Sequence, residues 1–149
     1  MTIDRCKYGF FASSFDPFPH PGHLWAMEQA VLSGQCDYII AAIHADPTRE
    51  RPWKHRTVCT IEERREMLSA IRMVDTVLVY ASEPELLLLL KTTDHDVRIL
   101  GDDYIGKPDF TGSELGKPVF YAKRKPEWSS TNFMDRIARA VARDCACKS

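Results

Sequence analysis

With 149 residues, 44% of them hydrophobic and 28% charged, the chain has the balance of one globular domain, residues 1–149, with a substantial core. A formal net charge of −1 argues against a broad electrostatic grip on nucleic acid, while leaving room for a local basic pocket. No basic-then-apolar leader opens the sequence, the five cysteines are odd in number and irregularly spaced, and the leucine run at 86–90 is far too short to span a membrane. The expectation is a cytoplasmic protein with reduced thiols and with neither membrane nor nucleic acid as partner.

In chain order, the apolar run 8–12 reads as a buried strand, and 24–32 as a helix with Leu24, Met27 and Val31 on one face and Ser33-Gly34 as its stop signal. Between them lies Ser14-Phe15-Asp16-Pro17-Phe18-Pro19-His20-Pro21-Gly22-His23. His20 and His23 thus sit at a strand-to-helix turn, where free backbone N–H groups and the helix dipole favour a phosphate. Gly22 lets a ligand approach the backbone, Pro21 fixes the turn, and two imidazoles there can donate to phosphoryl oxygens as charge builds on them. A metal reading of the pair lacks further ligands at zinc-like spacing, so no protein metal site is expected.

Strand-like runs recur at 38–43, 76–80, 97–100 and 118–121. A helix opens near Thr60 with Glu63 three residues on, a capping box, and Ile61, Leu68 and Ile71 share its face. Another covers 84–91 with its proline in the first turn. The last starts around Ser130 and Thr131 with Phe133, Ile137 and Val141 spaced by four, and Cys145-Ala146-Cys147 reads as a frayed tail. Alternation of strands and helices predicts an α/β fold: one Rossmann-like domain with a parallel sheet, helices on both faces, and ligands at the carboxyl ends of the strands.

Three segments after strands converge on that edge. The loop 46–56 carries four cations able to neutralise phosphates, of which Lys54 is favoured. The segment 101–110, opening Gly101-Asp102-Asp103-Tyr104, offers a carboxylate pair for a ribose hydroxyl, a base amino group or Mg²⁺, and an aromatic face for a base. Arg124 leads through Trp128 to Ser129, Ser130 and Thr131, a helix N-cap and a second phosphate site, with a planar donor fork at Arg124.

Together these segments resemble the HxGH nucleotidyltransferase superfamily over nearly the whole chain, in its cytidylyltransferase-like branch, and most of all the glycerol-3-phosphate cytidylyltransferases. The resemblance implies that Ser14, Phe15, His20, Gly22, His23, Lys54, Arg124, Ser129, Ser130 and Thr131 hold a nucleoside triphosphate carried with Mg²⁺, that Asp103 and Tyr104 lie near its base and ribose, and that the protein is a homodimer. Departures stand beside it. One extra residue separates Asp16 from His20, Tyr104 and Trp128 replace a tryptophan and an isoleucine, and the family's acceptor-phosphate lysine falls in the leucine run. Ser129-Ser130-Thr131-Asn132 also resembles the ATP-using adenylyltransferases that activate heptose 1-phosphate.

The expected reaction is transfer of CMP from CTP to a phosphorylated small alcohol, glycerol 3-phosphate first, with release of pyrophosphate. His20, His23, Lys54 and Arg124 would be its catalytic residues. The alternatives are an ATP-dependent adenylyltransferase acting on a sugar 1-phosphate, and a nucleotide-binding regulator without turnover.

Overall fold

The computed structural model describes residues 3–148. Five parallel strands, β1 (Tyr8–Ser13), β2 (Tyr38–His44), β3 (Val74–Tyr80), β4 (Val97–Gly101) and β5 (Val119–Ala122), lie in the order β3-β2-β1-β4-β5. The order reverses direction at β1, so the crossovers leave to opposite sides and a crevice opens beyond the carboxyl ends of β1 and β4.

The helices are α1 (Pro21–Leu32), α2 (Ile61–Ser69), α3 (Glu83–Thr92) and α4 (Ser130–Cys147). Strand period two sorts the core. Ile39, Ala41 and Ile43 of β2 pack with Met27 and Ala30 of α1 and Leu68 of α2, whereas Ile40 and Ala42 pack with Phe10, Tyr80, and Leu86 and Leu90 of α3. Helices therefore cover both faces, as the alternation predicts. Met27 and Leu68 are fully buried, each contributing roughly 1.5–3 kcal/mol.

Local chemistry sets the helix starts. α1 begins at Pro21, earlier than the apolar face suggested, because the His20 side chain caps it and Pro21 has no N–H to satisfy. The capping box of α2 forms as expected: Glu63 N–H donates to Thr60 Oγ1 at 3.1 Å and Thr60 N–H to Glu63 Oε2 at 2.8 Å. α2 stops at Ser69, so Ile71 packs on the core from the following turn rather than from the helix.

α4 departs further from expectation. It stays helical through Cys147, so Cys145 and Cys147 are exposed free thiols on a helix, not a frayed tail. Phe133 packs against Phe18, but Ile137 and Val141 remain 43% and 57% exposed, because α4 leaves the body of the sheet after its first turns. Among the described residues no helix is long and apolar enough to cross a membrane, and the leucine run lies within α3.

Candidate active site

The crevice holds a cavity of about 610 Å³, within the range of small-molecule sites. Eleven of the twelve residues singled out in the sequence line it: Ser14, His20, Gly22, His23, Lys54, Asp103, Tyr104, Arg124, Ser129, Ser130 and Thr131. Phe15 does not. Its side chain is fully buried, 4.8 Å from the His23 ring and edge-on to Phe11, so it supports the histidine from the core instead of facing the cavity.

Backbone capping fixes the protonation of both imidazoles. His20 Nδ1 accepts from Gly22 N–H at 3.0 Å, so its proton resides on Nε2, which donates to Ser130 Oγ at 3.0 Å. His23 Nδ1 accepts from His20 N–H at 3.2 Å, leaving Nε2–H to donate to Ser13 Oγ at 3.2 Å. The helix start thereby presents two neutral rings, 3.8 Å apart, each with an Nε2–H donor engaged by a hydroxyl that a phosphoryl oxygen can replace.

Burial keeps them neutral. Desolvation, reinforced by the charge of Arg124, lowers the His20 pKa to about 4; burial, then His20, then Arg124, holds His23 well below its ordinary value.

The second phosphate site is joined to the first. Ser129 Oγ caps α4 by accepting from Asn132 N–H at 3.1 Å, while Ser130 contacts His20, so the N-termini of α1 and α4 face one space. A Cβ on Gly22 would collide with the Trp128 carbonyl oxygen, which explains why only glycine lets these two starts approach. Arg124 Nη1 pairs with Asp103 Oδ2 at 3.1 Å, and its N–H reaches Asp102 Oδ2 at 3.3 Å. That pair is half-exposed, a setting where ion pairs are worth about 0–1 kcal/mol, so an incoming anion can draw the guanidinium away at little cost. Asp16 accepts from Val58 N–H at 2.8 Å and Cys59 N–H at 2.9 Å, which ties the Lys54 loop to the histidine turn.

A family model described as cytidylyltransferase-like matches residues 10–135. The chain belongs to the cytidylyltransferase-like family. It is 36% identical over 104 residues to an FAD synthase of Methanohalophilus mahii, covering 70% of each chain. It is 30% identical over 119 residues to the glycerol-3-phosphate cytidylyltransferase of Bacillus subtilis, covering 80% of this chain and 88% of that one. Against the bifunctional protein HldE of Campylobacter fetus it is 30% identical over 139 residues, 92% of this chain but 30% of the relative's length. Among solved structures, the lipopolysaccharide core biosynthesis protein of Thermoplasma volcanium matches with a TM-score of 0.60 at 17% identity, covering 81% of this chain and 98% of that one, a likeness of fold.

As a cytidylyltransferase-like protein the chain is a nucleotidyltransferase, and its cavity contains further groups which, Arg51 of the 46–56 loop apart, the motif reading passed over. His44, Arg51, Tyr80, Glu83, Arg98 and Thr111 line it on the α3 side. Glu83 is held by Arg51 at 3.2 Å and by the Thr111 hydroxyl. Arg98 carried a signal of its own in the sequence, a charge inside the apolar run of the fourth strand.

The neutral histidines predict the acid response of this nucleotidyltransferase. Their folded pKa values are lowered, so between about 4 and the unfolded value near 6.5 the unfolded chain binds more protons than the native one. Stability is therefore full above about pH 6.5 and is lost as pH falls through that window. Urea midpoints should drop from pH 7 to pH 5, less steeply in His20→Asn. A midpoint that is flat or rises toward pH 5 would mean that the rings are protonated in the native state.

Proposed function

We propose that the protein transfers a cytidylyl group from CTP to a small phosphorylated alcohol, glycerol 3-phosphate first among candidates, and releases pyrophosphate. The observation that carries the reading is the pair of Nε2–H donors on neutral, buried His20 and His23, set between two helix N-termini beside Lys54 and Arg124. The acceptor's phosphate oxygen attacks the α-phosphorus in line, and pyrophosphate leaves with the electron pair of the broken P–O bond. No covalent enzyme nucleophile is needed. The two imidazoles donate to phosphoryl oxygens, and Lys54 and Arg124 offset charge that grows toward the leaving group.

Asp103 lines the cavity beside Arg124 and offers carboxylate oxygens of the kind that a Mg²⁺ ion carried on the triphosphate would take. Such an ion would supply charge neutralisation to the phosphate oxygens.

Support for cytidine comes from the Gly101-Asp102-Asp103-Tyr104 turn and from the likeness to a glycerol-3-phosphate cytidylyltransferase over 80% of the chain. A second reading, an ATP user, draws on the likeness to an FAD synthase, whose product contains an adenylyl group, and on Ser129-Ser130-Thr131-Asn132. A pocket fitted to one base leaves polar groups unpaired with the other. CTP with Mg²⁺ should therefore raise Tm more than equal concentrations of ATP, GTP or UTP. A larger shift with ATP would transfer the reading to adenylyl transfer. Pyrophosphate release with a panel of phosphorylated alcohols and sugars tests turnover itself, and its absence with every pair would favour a nucleotide-binding regulator.

A further inference from the structure

Arg98 is the least explained charge in the molecule. It stands in the middle of β4 between Val97 and Ile99, is 6% exposed, and lines the cavity. Its Nε and Nη1 are buried without a hydrogen-bond partner, and among the described residues no carboxylate forms an ion pair with it. Glu83, the nearby acid, is already committed to Arg51 and Thr111. The guanidinium lies over the Phe10 ring at 5.4 Å, with Tyr80 and Tyr104 also near it. A buried cation with idle donors is costly, and native proteins retain one where a partner arrives.

The fold says which partner. Val97 and Ile99 point to the core under α1 and α2, so Arg98 points to the opposite face, over Phe10 of the α3-side core, where Tyr80 and Leu86 line the cavity. His23 rests on Phe15 in the α1-side core. The histidine donors and Arg98 therefore serve one cavity from opposite faces of the sheet, across the crevice of β1 and β4. The α1 side suits the triphosphate, which leaves the α3 side for the other substrate. Resting on the transferase reading above, we propose that Arg98 anchors the acceptor, its planar fork holding an anionic oxygen group, phosphate or carboxylate, in the α3-side half of the cavity. Tyr80 and Leu86, which line this half of the cavity beside it, select a short acceptor over a bulky one.

Two variants separate this role from packing. Arg98→Met fills similar volume on Phe10 without charge, and Arg98→Lys keeps the charge without the fork. Pyrophosphate release by the wild-type protein with glycerol 3-phosphate and with 3-phosphoglycerate tests the transferase reading by itself. In the variants, acceptor KM should rise at least tenfold while nucleotide KM stays within about twofold. An increase seen equally with both acceptors means that Arg98 holds the attacking phosphate; one confined to 3-phosphoglycerate means that it holds a second anionic group.

Calorimetric titration of the same two acceptors into protein saturated with α,β-methylene CTP or α,β-methylene ATP reads the subsite without turnover, because the bridging carbon blocks transfer. The wild type should bind, Arg98→Met should lose at least tenfold in affinity, and its urea midpoint without ligand should equal or exceed that of the wild type, since an unpaired buried charge has been removed. No binding of either acceptor by the wild type, or unchanged acceptor affinity in both variants, would overturn the assignment. A lower midpoint with unchanged acceptor affinity would make Arg98 a packing residue and overturn it as well.

Discussion

Replacing His20 or His23 by asparagine should lower kcat about 10²–10³-fold while nucleotide affinity changes only a few-fold. Asparagine is the informative substitution because of how the rings are held. In each histidine Nδ1 accepts a backbone N–H, Gly22 for His20 and His20 for His23, and an asparagine Oδ1 sits close to that position. The start of α1 thus stays capped, and only the Nε2–H donor to the cavity disappears. Alanine would remove the cap as well, costing roughly 0.5–2 kcal/mol and confusing stability with chemistry. Donors aimed at charge that grows during transfer act mainly on the transition state, so the loss should appear in kcat and equally in kcat/KM. Steady-state pyrophosphate release checks this, with urea midpoints confirming that the variants fold. Near-normal kcat in both asparagine variants would leave the imidazoles as helix caps alone.

The site was legible where chemistry follows from local order. A strand, a proline-glycine turn and an amphipathic helix place His20 and His23 at a helix start whatever the rest of the chain does, and Ser129 caps α4 for the same local reason. Parallel topology then brings the 46–56, 101–110 and 124–131 segments to one edge. What sequence could not supply was the direction of side chains within elements. Phe15, placed on the nucleotide by resemblance, turns into the core at a φ of 51°. Asp103, assigned to base and ribose, lines the cavity and pairs with Arg124, a partner that its place in the sequence did not name. Arg98 hides in an apolar strand, where alternation says that it faces away from Val97 and Ile99 but not that a cavity waits there. The stripe of Ile137 and Val141 follows helical spacing and still stays exposed, because periodicity reports a face and not what covers it.

Arg64 was hidden among charged neighbours on α2, and its removal should have the largest effect on stability. Glu62, Glu63, Arg65 and Glu66 around it are exposed, as a solvated helix face predicts, yet Arg64 is 1% exposed. Its Nη1 donates to the carbonyls of Ser14 at 2.8 Å and His44 at 2.9 Å, Nη2 to Ala45 at 2.9 Å, and Nε to Thr60 at 3.3 Å. Ser14 and His44 lie at the ends of β1 and β2, where the strands run out and their carbonyls lose ladder partners. One guanidinium therefore closes the edge of the sheet on which the cavity is built. Arg64→Met keeps the bulk but leaves these buried acceptors unpaired at about 1–3 kcal/mol each, and because such losses do not add in full, about 3–5 kcal/mol is expected in total. Set against a typical domain stability of about 5–15 kcal/mol, that leaves little folded reserve at physiological temperature. Arg65→Met, on the exposed face one residue along, should stay within about 0.5 kcal/mol of the wild type. Urea unfolding of the two variants side by side makes the comparison, since length, composition and charge change identically in both. Equal midpoints would mean that water satisfies the Ser14, His44 and Ala45 carbonyls once the guanidinium is gone, and that the strand ends hold their places without it.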